Sequence, residues 1–161
     1  MSNAVKEKEK LIEMLGVHFQ MFHHLPPLAA RIFSTLILSC KERGLSFDEI
    51  VTMTEASKSS VSTNLNLLLK MEKIRFYTVK GERKKYFKPK NLTDRIKNHL
   101  KILSSEQRMF KLLRKHELQY NEHPLSEKEE KSLEIYKDYL KNFENLLKES
   151  INKIEELEQI N

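Results

Sequence analysis

The side chains best suited to bind a ligand are concentrated in residues 57–71. On a helical wheel, Val61, Leu65 and Leu68 share the apolar face. The other faces carry mostly short hydrogen-bonding side chains: Ser57, Lys58, Ser59, Ser60, Ser62, Thr63, Asn66 and Lys70. Ser, Thr and Asn are poor helix formers, and their short side chains can reach base edges or phosphates in a major groove. The alternative interpretation is a solvated polar face with no ligand.

A second group of candidate residues is strongly basic and surrounds a turn at Gly81. It consists of Lys80, Arg83, Lys84 and Lys85. Residues 70–90 carry nine basic and two acidic side chains, whereas the whole chain has a net charge of +6. A concentrated positive segment is typical of proteins that bind a phosphate backbone, and Arg suits a narrow minor groove. The alternative is a basic hairpin tip that contacts only solvent.

Other kinds of site have little support in the sequence. None of the six histidines (His18, His23, His24, His99, His116 and His123) shows H-x-x-x-H spacing, and Cys40 has no cysteine partner, so we expect neither metal nor cofactor. We interpret His18 as a core histidine and Cys40 as a small apolar residue at the end of a buried helix. The chain lacks a Gly-rich phosphate loop and a nucleophile motif, so an enzyme is not expected.

The composition predicts a mainly helical, cytoplasmic protein. Gly (3) and Pro (4) are scarce, and Lys, Glu, Leu and Ile are abundant. No apolar run approaches the roughly 20 residues of a membrane span. The charged beginning, MSNAVKEKEK, lacks the apolar segment of a signal peptide.

The pattern of apolar residues and turns predicts the elements that position these candidates. Helices are expected over 3–22, 28–39, 46–54, 57–71, 93–120 and 126–160, and strands over 74–79 and 83–88. The first helix has an apolar stripe that comprises Leu11, Met14, Leu15, His18 and Phe22. S-x-x-E capping boxes begin the helices at 46 and 126. Two capped helices around a short turn, followed by a hairpin, predict a winged helix-turn-helix.

The last predicted helix carries a heptad-like apolar seam. Its members are Leu133, Tyr136, Leu140, Phe143, Leu147, Ile154 and Leu157, with a polar break at Ser150. We predict that this seam forms a homodimer interface; the alternative is packing against helix 93–120 of the same chain. The expected organisation is an N-terminal helix contributing to the dimer (1–24), a DNA-binding domain (25–90) and a helical dimerisation arm (91–161).

Three runs of sequence resemble the GbsR-type branch of the MarR-like regulators. They are LPPLAARIFSTLILS (25–39), LSFDEIVTMTEASKSSVSTNLNLLLKMEKIRF (45–76) and GERKKYF (81–87). By position, 57–66 matches the recognition helix of that family and 80–85 its wing. The resemblance implies a homodimeric bacterial or archaeal winged-helix regulator, usually a repressor. It also implies a small-molecule effector, bound between the DNA-binding lobes and the helical arm, whose identity the sequence does not give.

Together these patterns predict a sequence-specific regulator that binds double-stranded DNA as a homodimer on a pseudo-palindromic operator. The competing hypothesis is a winged-helix protein-interaction module with a coiled-coil arm and no specific DNA target.

Overall fold

The computed structural model describes residues 3–39, 43–120 and 125–159. Over these ranges it contains six helices and three short strands, which fall into two units, residues 1–90 and 91–161. The elements are α1 (Asn3–His23), α2 (Pro27–Ser39), β1 (Leu45–Ser46), α3 (Phe47–Thr54), α4 (Lys58–Lys70), β2 (Ile74–Thr78), β3 (Lys85–Pro89), α5 (Leu92–Tyr120) and α6 (Glu127–Gln159). The predicted fold class, mainly α with a small β-wing and long helices, is confirmed. The interpretation of Cys40 and the predicted end of the last helix at Ile160 fall outside the described residues.

The three strands form an antiparallel sheet in the order β1-β3-β2. β2 and β3 make the predicted hairpin, in which Phe76 lies opposite Phe87. β1 was not predicted; its two residues, Leu45 and Ser46, pair with Phe87 and Tyr86 of β3. The start of α3 is therefore joined to the hairpin by backbone hydrogen bonds.

The core of the first unit is built around α2. Ile32 and Leu36 of α2 are completely buried, together with Ile50 of α3 and Leu68 of α4. The predicted core face of α4 is confirmed, since Val61, Leu65 and Leu68 are all buried. Leu67, which lies off that face, packs partly against the same core. This packing holds α4 in place and leaves its opposite side in solvent.

The core-facing side of α1 differs from the predicted stripe. Phe19 is buried, with the centre of its ring 4.7 Å from that of Phe33, and Gly16 is also buried. Leu15 packs against the core, but Leu11, Met14, His18 and Phe22 are exposed. The interpretation of His18 as a core histidine is therefore wrong. The spacing of apolar residues alone could not show which of two adjacent apolar stripes on α1 faces the core.

The second unit consists of α5 and α6 packed side by side. Leu103 of α5 is buried together with Leu140 and Leu147 of α6. Polar contacts run in opposite directions along the two helices, from Lys97–Glu155 (2.5 Å) to Arg114–Glu130 (2.7 Å), so the pair is antiparallel. The middle of the predicted seam thus packs within the chain, as the alternative interpretation required. None of the described helices has the length and apolar character that a membrane span requires.

The capping box of α3 gives a first testable prediction. Ser46 Oγ accepts from Glu49 N at 3.3 Å, and the Glu49 carboxylate accepts from Ser46 N at 2.7 Å. We expect Ser46→Ala to lower the free energy of unfolding by about 1 kcal/mol at neutral pH. Chemical denaturation measures this loss, and Ser132→Ala, at an exposed mid-helix position of α6, serves as the control.

The effect of Ser46→Ala should depend on pH. Donation from Ser46 N and Oγ lowers the pKa of Glu49 below its usual value. A lowered folded-state pKa stabilises the protein above the unfolded pKa, and that stabilisation disappears as pH falls through the folded pKa. The difference between parent and variant should therefore narrow below about pH 4.5. A difference that stays constant down to acid unfolding would contradict this role of Glu49.

Candidate nucleic-acid interface

A sharp turn sets the angle between α3 and α4. α3 ends at Thr54, and its C-cap residue, Glu55, has a left-handed backbone with φ = 53°. Ser57 then caps α4, with its Oγ accepting from Ser60 N at 3.2 Å. The predicted cap at Ser57 is thus present, and together with the turn at Glu55 it sets the direction of α4 relative to α3.

The polar face of α4 is fully open to solvent. All eight side chains that the sequence singled out on this helix and its cap are exposed: Ser57, Lys58, Ser59, Ser60, Ser62, Thr63, Asn66 and Lys70. The helix also carries no acidic residue that would repel a phosphate. A ligand can therefore approach along the length of α4 without moving a core residue.

Hydrogen bonding divides these polar side chains into two groups. Thr63 Oγ1 donates to the Ser59 carbonyl at 3.1 Å, and Ser57 Oγ donates to Ser60 Oγ at 2.8 Å. The amide of Asn64, a neighbour that is only half-exposed, donates to the Ser60 carbonyl at 2.8 Å. In the part of the chain that the structure describes, the side chains of Ser62 and Asn66 make no hydrogen bond. Asn66 carries the larger donor and acceptor capacity of the two.

The hairpin between β2 and β3 is the wing. Glu82 N donates to the Val79 carbonyl at 2.9 Å, which closes a tight turn around Gly81 at φ = 90°. β3 begins at Lys85 rather than at residue 83, so Arg83 and Lys84 belong to the turn. Lys80, Arg83, Lys84 and Lys85 are all exposed. The predicted alternation of side chains between the two faces of the strand therefore applies only from Lys85 onward. Tyr86 and Phe87 point to opposite faces of β3, and both are buried because both faces are covered.

Aromatic side chains stiffen the wing. Lys85 Nζ lies 4.4 Å from the centre of the exposed Phe76 ring, a cation–π contact. On the other face, the Tyr86 hydroxyl donates to the Glu82 carboxylate at 2.5 Å, and this bond raises the pKa of Tyr86. Glu82 thereby holds the turn to the strand behind it, so the acidic residue of the wing has a structural partner.

Arg43 joins the wing to the helix-turn-helix, and sequence reasoning missed it. Its guanidinium pairs with Glu49 at 2.5 Å and lies 5.4 Å from the centre of the Tyr86 ring. The Tyr77 hydroxyl donates to the Arg43 carbonyl. Glu49 raises the already high pKa of Arg43. Tyr77 and Tyr86 are distant from Arg43 in sequence, and the pairing of β1 with β3 brings them together. No periodic pattern in the sequence predicted β1.

A cleft of about 440 Å³ separates α4 from the wing. The start of α3 closes one side of it with Asp48. The cleft brings together five of the sequence-predicted site residues: Ser62, Asn66, Arg83, Lys84 and Lys85. The remaining candidates lie outside the cleft: Ser57, Lys58, Ser59 and Ser60 at the start of α4, Thr63 in its middle, Lys70 at its end, and Lys80 beside the wing turn. The side chains with unused hydrogen-bonding groups thus face the same cleft as the wing cations.

Comparison with known proteins bears on the fold. A solved structure described as a transcriptional regulator matches 93% of this chain and 99% of its own, with a TM-score of 0.72 and 20% sequence identity. At this identity the match shows a shared fold. No protein-family model and no curated protein matches the sequence. Within the described residues, no group of three or more His, Cys, Asp or Glu side chains could hold a metal ion.

Proposed function

We propose that this protein is a sequence-specific DNA-binding transcriptional regulator. In this proposal α4 enters the major groove, and the wing contacts the adjacent backbone or minor groove through Lys80, Arg83, Lys84 and Lys85. The observation that carries the proposal is the cleft in which Ser62 and Asn66 face the wing cations. Ser62 and Asn66 are uncharged and can donate and accept hydrogen bonds, which suits contact with the edge of a base. The neighbouring cations of the wing suit contact with a phosphate beside that base. The shared fold with a protein described as a transcriptional regulator supports it.

Salt dependence distinguishes this function from the protein-interaction hypothesis. Binding to DNA releases about 0.9 counterion per phosphate neutralised, so affinity should fall steeply as salt rises. Fluorescence anisotropy with a mixed-sequence duplex measures this slope without knowledge of the operator. A chain that shows no salt-dependent DNA binding would refute the proposal.

Asn66 is the side chain whose loss should most relax sequence discrimination. Operators are first enriched from a random duplex library with the parent protein. Asn66→Ala should then lose about tenfold to hundredfold in the ratio of enriched-site to scrambled-site affinity, as expected for one lost base contact. Affinity for scrambled DNA should change little because no phosphate contact is removed.

Asn64→Ala is the matched control for Asn66→Ala. Its amide is already bonded to the Ser60 carbonyl within α4, so its removal should leave the discrimination ratio unchanged. If Asn66→Ala retains the parent ratio, α4 does not read bases through this residue.

The proposal includes a homodimer. The middle of the predicted seam packs within the chain, but α5 and α6 each carry a further exposed apolar stripe. The stripe of α5 comprises Ile102, Met109, Leu113 and Tyr120, and that of α6 comprises Ile135, Tyr139, Leu146 and Leu157. Spacings of four and seven residues on α5, and of four, seven and eleven on α6, keep each stripe on one side of its helix, as is typical of helix faces that pack against a partner. Exposed apolar surface of this extent commonly marks an interface.

A charge placed in the α6 stripe should separate the dimer without unfolding the chain. Leu146 is 58% exposed, so Leu146→Glu disturbs no internal packing. We expect sedimentation at micromolar concentration to show a dimer for the parent and a monomer for this variant, because burial of an unpaired carboxylate is costly. Asn145→Glu adds the same charge beside the stripe and should remain dimeric. A monomeric parent would remove the homodimer from the proposal.

The finer parts of the proposal concern regulation. Membership of the GbsR-type branch, repression of transcription and response to a small-molecule effector are supported by the sequence resemblance alone. They extend the DNA-binding function and are not needed for it.

A further inference from the structure

A groove of about 760 Å³ runs between α5 and α6 within the second unit. Its volume falls in the range typical of small-molecule sites, about 300–1,000 Å³. The lining extends from Gln107 to Leu118 on α5, which is roughly 16 Å of helix. The groove thus has room for an elongated ligand of moderate size.

The floor of the groove is apolar. Phe110 lies there, 5.5 Å from the ring of Tyr136, and Leu133 and Leu140 continue the floor along α6. Leu140 is buried, while Leu118, which also lines the groove, is 75% exposed. An extended apolar body could cover this surface without disturbing the helix pair.

The charged side chains that line the groove differ in whether they form ion pairs within the protein. Three lining carboxylates have cationic partners: Glu130 pairs with Arg114 at 2.7 Å, Glu127 with Lys131 at 2.5 Å, and Glu144 with Lys148 at 2.6 Å. In contrast, no ion pair within the described residues involves three lining lysines, Lys115, Lys137 and Lys141, or the one remaining lining carboxylate, Glu134. The groove therefore combines an apolar floor with an excess of unpaired lysines over unpaired carboxylates, that is, with net positive charge.

We propose that this groove binds an amphipathic anion, a molecule with an apolar chain or ring and a carboxylate or phosphate head. The apolar part would lie over Phe110 and Leu133, and the head would reach Lys137 and Lys141. The proposed site uses α5 and α6 alone and does not depend on DNA binding by the first unit.

A second copy of the chain is a less suitable occupant. The exposed stripes that we assign to the homodimer contain Met109, Tyr139 and Leu146, and none of these residues lines the groove. A dimer formed through those stripes would leave the groove to a small ligand. Charge complementarity then favours an anion over a neutral or cationic amphiphile.

Calorimetric titration of the full chain with three octyl compounds tests the proposed site. Octanoate should bind saturably, whereas 1-octanol and octylammonium should bind at least about fivefold more weakly. A further titration with octyl phosphate in place of octanoate shows whether the site prefers a carboxylate or a phosphate head group. In the double variant Lys137→Gln, Lys141→Gln the affinity for octanoate should fall about fivefold, as expected for two solvent-exposed charge contacts. Leu118→Ser, at an exposed position, should weaken all three octyl compounds alike.

Matched controls separate the site from general charge effects. The double variant Arg108→Gln, Lys128→Gln removes the same charge from exposed positions outside the groove and should bind octanoate like the parent. Equal binding of octanoate and 1-octanol, or unchanged octanoate affinity after loss of Lys137 and Lys141, would overturn the proposal. So would octanoate affinity that falls as the chain dimerises, since the groove would then be covered by a second copy.

Discussion

Replacing Lys80, Arg83 and Lys84 by Gln should weaken binding to every DNA sequence on the order of a hundredfold at low salt. All three side chains are exposed at the wing turn, and no ion pair within the described residues involves them. At about 1 kcal/mol for each lost charged contact, a hundredfold loss is the expected scale. The slope of log affinity against log salt should decrease by about 0.9 for each phosphate contact removed. Lys85 is kept because its contact with Phe76 supports the hairpin.

The triple variant needs a control with the same net charge. Replacing Lys10, Arg108 and Lys128 by Gln removes three positive charges from exposed helix positions outside the interface. If this control loses as much affinity as the wing variant, DNA binding reflects overall charge and the wing has no specific role. If neither variant loses affinity, the proposed interface is wrong.

Gly44→Ala should be the most destabilising of the single substitutions considered. Gly44 has φ = 73°, and an added Cβ would lie 2.6 Å from the Phe87 backbone oxygen. A left-handed backbone costs a non-glycine residue about 1–2 kcal/mol, and relief of the clash requires β3 to move away from β1. We expect a total loss of about 3 kcal/mol or more, measured as a decrease in Tm of roughly 10 °C.

Gly81→Ala separates the two causes of this loss. Gly81 also has positive φ, at 90°, but nothing lies within 4 Å of an added Cβ. Only the backbone penalty of about 1 kcal/mol or slightly more should remain. Similar losses for the two variants would mean that the close approach of Gly44 to Phe87 contributes nothing to stability.

Local chemistry made much of the winged helix predictable. The hydroxyl of Ser46 and the carboxylate of Glu49 lie at capping-box spacing, and Ser57 stands before a polar helix, so both helix starts followed from the sequence. The core face of α4 followed from the period of Val61, Leu65 and Leu68. Residues that satisfy each other within one turn can be predicted because their geometry does not depend on the rest of the chain.

Contacts between distant segments could not be predicted in the same way. β1 has only two residues, too few for a periodic pattern, and it forms because β3 offers a backbone edge. Arg43 and Tyr86 consequently meet without any signal in the sequence. For α1 and α6 the sequence showed apolar stripes but not their partners. Phe19 of α1 packs against Phe33 of α2, and Leu140 and Leu147 of α6 pack against Leu103 of α5.

If the exposed apolar stripes of α5 and α6 form the proposed dimer interface, the stability of the folded chain depends on its concentration. By mass action, association that occurs only between folded chains adds free energy that grows with the logarithm of concentration. Tenfold more chain adds up to about 1.4 kcal/mol per mole of dimer, so Tm should rise on concentration. The concentration of such a dimer would therefore set the fraction of chains that are folded as well as the fraction that are paired.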